Sequence, residues 1–109
     1  TPATFTAFRA GEAHLLPMGD ILRFYTDGKG VRCQTAGGAF TVRERLYELE
    51  EALSGTRFVR VSNSEILNLN RVTALDLSIT GTIRMTLEGG VTAYVSRRYV
   101  KKIKQALGL

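Results

Sequence analysis

The chain reads as a mainly β domain: small antiparallel sheets, sandwich- or barrel-like, with two short helices. Three observations lead there. Apolar and polar residues alternate with a period of two over most of the chain, the pattern of strands with one buried face. Glycine-containing turns separate these runs at short intervals. Helical spacing occurs in only two places, each behind a capping signal. With 109 residues, 44% of them hydrophobic, the sequence suits a single domain spanning residues 1–109 around one modest core.

The elements follow in order. Thr4–Phe8, Glu12–Leu16 and Ile21–Thr26 are short strand candidates, interrupted by Gly11 and by Pro17-Met18-Gly19. Asp27-Gly28-Lys29-Gly30 is a polar turn, after which Val31–Thr35 runs to a break at Gly37-Gly38. The first helix is expected from Thr41, with Glu44 three residues on as a capping box. Leu46, Leu49 and Leu53 follow at helical spacing, and Gly55 is placed for a left-handed C-terminal cap. Glu44, Glu48 and Glu51 line its outer face, so it reads as a packing helix.

A β-meander is expected from Ala74 to Val95. Leu75, Leu77 and Ile79 alternate with Asp76, Ser78 and Thr80; Thr80-Gly81 turns the chain; Ile83, Met85 and Leu87 alternate with Arg84, Thr86 and Glu88. Gly89-Gly90 turns it again into Val91–Val95. The last helix is expected from an N-cap at Ser96 to Gly108. Tyr99, Val100, Ile103, Ala106 and Leu107 cover one side and the basic residues cover the other, which makes it amphipathic and cationic.

The charge distribution is uneven. Residues 1–96 hold ten Lys/Arg and ten Asp/Glu, whereas Arg97, Arg98, Lys101, Lys102 and Lys104 follow with no acid among them. The whole net charge of +5 therefore falls in one short segment, a footprint suited to a polyanion. Arg97 and Arg98 also stand in the expected first turn of a helix, where the macrodipole disfavours cations. Free backbone donors and two guanidinium groups together would suit a phosphate there.

Catalysis finds little support. The one histidine, His14, lies in a strand-like run, and no metalloprotease, thiol-pair, nucleophile-elbow or P-loop pattern is present. Nothing assembles a nucleophile, a base and an orienting group, so an enzyme is not expected, nor a cofactor or a metal site. Cys33, the only cysteine, excludes an internal disulfide and reads as a small apolar filler. These features suggest a cytoplasmic protein that does not enter a membrane. A chain starting at Thr1 rather than Met suggests a piece of something longer.

One stretch is chemically odd. Phe58-Val59-Arg60-Val61-Ser62-Asn63-Ser64-Glu65-Ile66-Leu67-Asn68 passes from a short strand into a Ser-Asn-Ser knot, then an apolar pair and an asparagine. Read by itself it is a loop that caps its own backbone. The string resembles the F-x-R-x-H-x-S-x-I-x-N signature of the LytTR family. Val95-Ser96-Arg97-Arg98-Tyr99-Val100-Lys101-Lys102-Ile103-Lys104 resembles that family's closing basic helix, and Ile21–Lys29 resembles its early segment ending in an acidic-Gly turn. Order and spacing agree from about Glu12 to Leu107.

The resemblance implies the DNA-binding domain of a bacterial transcription regulator. Its loops, and the start of its last helix, would read the major groove of double-stranded DNA. Base contacts would come from Lys29, Asn63 and Arg98, and phosphate contacts from Ser62, Ser64, Arg97, Lys101 and Lys102. It further implies spaced direct repeats as targets, a homodimer on DNA, and a receiver or sensor domain elsewhere in the full protein. Two positions depart from the family pattern: Ser62 stands where histidine is usual, and Glu65 where an aromatic is common, the latter expected to alter packing only. Arg57, Arg60 and Arg71 would either extend the basic patch or pair with local acids. Two other readings stand beside this one. An RNA or single-strand binder would stack bases on exposed aromatics, of which the chain has only nine and no Trp. A protein-interaction or sensory module would use the basic helix to dock an acidic partner.

Overall fold

The structure, a computed structural model, describes residues 4–109. Ten strands run in chain order as β1 (Thr4–Arg9), β2 (Glu12–Pro17), β3 (Ile21–Asp27), β4 (Gly30–Thr35), β5 (Gly38–Val42), β6 (Phe58–Ser62), β7 (Glu65–Asn68), β8 (Val72–Asp76), β9 (Arg84–Leu87) and β10 (Thr92–Tyr94). Helix α1 (Leu46–Ala52) lies between β5 and β6, and α2 (Val100–Ala106) follows β10. The first seven strands form one antiparallel sheet in the order β2-β1-β5-β4-β3-β7-β6, and the last three a separate sheet in the order β10-β9-β8. The mainly β class with two short helices, the last one basic, is as the sequence predicts.

Both faces of the β3-β7-β6 region are covered, which a period-two pattern alone would not suggest. In β7, Ile66 packs with Phe24, Phe40, Leu46 and Leu49 beneath α1, while its neighbour Leu67 packs with Met85, Leu87 and Ile103 beneath the small sheet and α2. In β3 a register shift between Ile21 and Arg23 lets Ile21 and Phe24 share the α1 side, with Leu22 on the other. The result is three layers with two apolar cores. Asn68, 2% exposed, ties them together: its amide donates to the Ile21 carbonyl at 2.9 Å and its Oδ1 accepts the Asn70 N–H at 3.0 Å.

Four expectations need correcting. Thr41 does not cap a helix, because it is a β5 residue opposite Arg32 and Phe8. The capping glutamate is Glu48, whose Oε1 accepts the Arg45 N–H at 2.9 Å, so α1 starts later than predicted and the whole of β5 was missed. Strand β7 was also missed, its Ile-Leu pair being too short for alternation to show. The first meander strand ends at Asp76, whose carboxylate accepts the Ser78 N–H at 2.9 Å and removes it from the ladder, leaving Leu77 half exposed. Last, Ser96 makes no side-chain cap; Arg97–Tyr99 form a 3-10 turn before α2 begins.

Candidate nucleic-acid interface

Strand direction brings distant segments to one end of the large sheet. β3 and β6 both arrive there and β7 leaves it, so the β3–β4 and β6–β7 turns are neighbours. The Thr26 N–H donates to the Ser64 carbonyl at 3.0 Å and fixes the two turns in register. On the far side of β6, the Ser96 N–H donates to the Val61 carbonyl at 2.7 Å and fastens the lead-in to α2. Two backbone bonds thus assemble three segments separated by up to some seventy residues in the chain.

The knot at Asn63 is held from several directions. The Ser64 N–H donates to Ser62 Oγ at 3.1 Å, and the two hydroxyls lie 3.2 Å apart. Arg60 reaches over the turn: Nε donates to the Ser62 carbonyl at 2.7 Å, Nη2 to the Asn63 carbonyl at 2.9 Å, and Nη1 to Glu50 Oε1 on α1 at 3.0 Å. Arg60 thus caps both turn carbonyls, and Asn63 is exposed at the tip.

Arg98 meets the Asn63 side chain. Its Nη2 donates to Asn63 Oδ1 at 2.5 Å and to the Tyr99 hydroxyl at 2.8 Å, with the guanidinium carbon 4.8 Å from the Tyr99 ring centre. Lys29 is exposed in the neighbouring β3–β4 turn, where Gly28 takes the positive φ of 63° that the tight connection needs. Lys101 and Lys102 are exposed on α2, whose Ile103 is fully buried in the second core. Arg97, also exposed, lies across Gly81, so closely that a Cβ there would stand 3.5 Å from its guanidinium. The three residues expected at bases thus share one end of the molecule, Asn63 and Arg98 in direct contact. Of those expected at phosphates, Ser62 and Ser64 spend their hydroxyls on the turn.

Several expectations change at this level. The helix-dipole conflict at Arg97 and Arg98 is weaker than expected, because both lie in the 3-10 turn that leads into α2 and its seven residues make only a short dipole. Arg60 and Arg71 pair locally rather than extending the patch, Arg71 with Glu88 at 3.2 Å and Asp20 at 3.8 Å, while Arg57 donates to Asn70 Oδ1 at 3.0 Å. Glu65 does more than alter packing: it holds Arg23 at 2.6 Å, and that arginine also reaches Gln34 and lies over the Tyr25 ring. Two cations were passed over. Val42 stands opposite Val31, so Arg43 leaves the sheet beside the Lys29 turn, and Arg45 follows before α1; the expected longer helix had hidden both. The contacts of Tyr99 were missed too, since its place on the apolar side of the last helix signalled only packing.

Comparison with known proteins agrees with this architecture. The LytTr DNA-binding domain profile matches residues 11–108. An uncharacterized HTH-type transcriptional regulator of Staphylococcus aureus (strain NCTC 8325 / PS 47) is 37% identical over 106 residues, 97% of this chain and 71% of the relative. Its counterpart in strain MRSA252 is 36% identical over the same coverage. A LytTr DNA-binding domain from Bacillus cereus has the same fold, with a TM-score of 0.93 over 100% of both chains at 20% identity. Here the two α-helices are separated by five strands, so no tandem helix pair stands ready for a groove among the described residues. The chain belongs to the LytTr DNA-binding domain family.

Proposed function

We propose that this domain binds double-stranded DNA sequence-specifically, as the DNA-reading part of a transcription regulator. In this reading the sheet-end turns and the segment leading into α2 enter the major groove. The observation that carries it is the convergence of Lys29, Asn63 and Arg98 at one end of the molecule, beside the only acid-free basic segment of the chain. Arginine suits guanine and asparagine suits adenine in the major groove, whereas a lysine supplies a mobile point charge. Arg97, Lys101 and Lys102, on the same segment, would fix register at phosphates. Ser62 and Ser64 would support them through the turn they build and through any hydroxyl capacity left to them. Because Arg98 and Asn63 already touch, they would address adjacent base pairs. A homodimer on spaced direct repeats, a receiver or sensor domain elsewhere in the protein and a cytoplasmic setting complete the proposal. No helix among the described residues is long and apolar enough to cross a membrane.

The test is selection of bound sequences from a random duplex pool, followed by binding of variants to the selected duplex and to an unrelated one. Arg98→Ala and Asn63→Ala are each expected to cost about 1–3 kcal/mol on the selected duplex and much less on the unrelated one. Failure of the pool to enrich any sequence would remove the specific reading. Equal losses on both duplexes would move the two residues to the phosphates. Arg98→Ala is not expected to stabilise the fold, since it removes two hydrogen bonds and relieves only the weak dipole of a seven-residue helix.

A further inference from the structure

Every two-pronged contact an arginine can make uses Nη2, together with Nη1 at the tip or with Nε at the side, because Nη1 lies on the Cδ side of the guanidinium. In this domain Arg98 Nη2 already donates twice, to Asn63 Oδ1 and to the Tyr99 hydroxyl. A guanine contact by both prongs therefore requires one of those two acceptors to give way. The two are not equally free to do so. Asn63 is exposed at the tip of a two-residue turn, and its side chain can rotate without disturbing the Arg60 bonds to the turn carbonyls. Tyr99 is half-buried, and its ring packs against the core formed by Val61, Ile83, Val95 and Ile103.

We infer that Tyr99 is the positioning residue for Arg98: its core-anchored ring and its hydroxyl hold the guanidinium at the sheet end while Asn63 exchanges Arg98 for a base. The inference rests on the proposed base-reading role of Arg98. It divides the work of three side chains. Arg98 supplies the prongs, and Asn63 covers them in the free domain and turns to its own base on DNA. Tyr99 keeps Arg98 from sampling the many rotamers open to an exposed arginine. Ordering a rotamer-rich side chain at an interface is a known cost of binding, and fixing it beforehand lowers that cost. The ring face 4.8 Å from the guanidinium carbon serves the same end, since a cation over an aromatic face is attracted to it.

The experiment uses the intact domain, the duplex selected above and an unrelated duplex, with Tyr99→Phe, Arg98→Ala and the double variant. Tyr99→Phe keeps the ring and its packing and deletes only the acceptor. It is expected to weaken binding to the selected duplex by about three- to tenfold, the worth of one hydrogen bond, and to leave the unrelated duplex unchanged. In the Arg98→Ala background the same change is expected to have no further effect, which a merely structural role for the hydroxyl would not produce. The melting temperature serves as the control for folding. If Arg98→Ala weakens selected binding and Tyr99→Phe does not, the inference falls while the base-reading role stands. If Tyr99→Phe weakens both duplexes alike, or still acts without Arg98, the hydroxyl works through something other than Arg98. If Arg98→Ala leaves selected binding unchanged, the underlying reading falls and this inference with it.

Discussion

Arg60 braces the turn that carries Asn63, and its removal is the sharpest test of how the knot is built. Its guanidinium, on a side chain 12% exposed, donates to the Ser62 carbonyl, the Asn63 carbonyl and Glu50 Oε1 at 2.7, 2.9 and 3.0 Å. Hydrogen bonds with a charged partner contribute roughly 1.5–3 kcal/mol each when shielded. The full sum does not apply, because water reaches the outer side of the turn and Glu50 is 37% exposed, so the freed acceptors rehydrate in part. Arg60→Ala should therefore cost about 2–3 kcal/mol. For a domain of this size that lowers the melting temperature by roughly 8–15 °C.

The same substitution should loosen the turn carrying Asn63 without removing a phosphate contact. Selected-duplex affinity should fall, and the dependence of log affinity on log salt should keep its slope. Arg60→Lys separates charge from shape, since a lysine can satisfy one acceptor but cannot span all three. It should recover less than half of the lost stability. Thermal and urea denaturation measure the first effect, and binding isotherms at several salt concentrations the second. An Arg60→Ala variant that melts within a degree or two of the parent, with a salt slope smaller by about 1, would refute the reasoning and make Arg60 a phosphate contact.

Three further outcomes are expected. Asn68→Ala strands the Ile21 carbonyl inside the fold and removes the acceptor of the part-buried Asn70 N–H, and should destabilise by about 1–3 kcal/mol in urea titrations with no change in salt slope. Lys101→Ala and Lys102→Ala should each weaken selected and unrelated duplexes alike and reduce the salt slope by about 1; an unchanged slope would place the lysine away from DNA. Burial pushes the Cys33 thiol from 9.0 up to about 11, so between those values the unfolded chain gives up a proton that the folded one keeps. That group's contribution to stability is full below pH 9 and declines as pH rises to about 11, and alkylation at pH 8 should be slow until denaturant is added. Prompt labelling of the native protein would contradict the burial.

What the sequence revealed depended on whether the deciding interaction was local. Alternation over Thr4–Phe8 or Val31–Thr35 is a property of each segment, and those strands formed where expected. The Thr41 and Glu44 pair is equally local in form, yet it lost to β5, because Thr41 gains ladder partners from Arg32 and Phe8 that no window around it displays. Asp76 illustrates the reverse: a carboxylate two residues from the N–H that donates to it cut short a strand that alternation would have carried on to Thr80. At the proposed interface, residue types and order singled out Asn63 and Arg98, but their contact across thirty-five residues shows only in the fold, where the Ser96 N–H to Val61 carbonyl bond fastens the two segments together. In sequence Arg60 sits between two valines and Arg98 beside Arg97 and Tyr99, which says nothing of the groups each guanidinium meets. The fold supplies those partners: Arg60 is committed to two carbonyls and an acid, and exposed Arg98 to Asn63 and Tyr99.

The charge pattern gains its meaning from the same pairing. Asp27, Glu50 and Glu65 all lie on the elements that build the proposed reading end, where three carboxylates would repel a phosphate backbone. Each is matched by an arginine: Asp27 with Arg32 at 2.7 Å, Glu50 with Arg60 at 3.0 Å and Glu65 with Arg23 at 2.6 Å. Lys29, Arg97, Arg98, Lys101, Lys102 and Lys104 form no ion pair among the described residues. At physiological ionic strength charges act over about 8 Å, so an incoming duplex responds to local pairs rather than to the net charge of the chain. These three acids are thus retained and neutralised rather than avoided, whereas Glu44, between Arg43 and Arg45, forms no ion pair among the described residues; each arginine that neutralises an acid also braces a strand or turn. Stability and recognition are consequently linked at this end. Removing Arg60 both loosens the Asn63 turn and uncovers the Glu50 carboxylate, and the two effects oppose DNA binding together, though no atom of Arg60 need touch the nucleic acid.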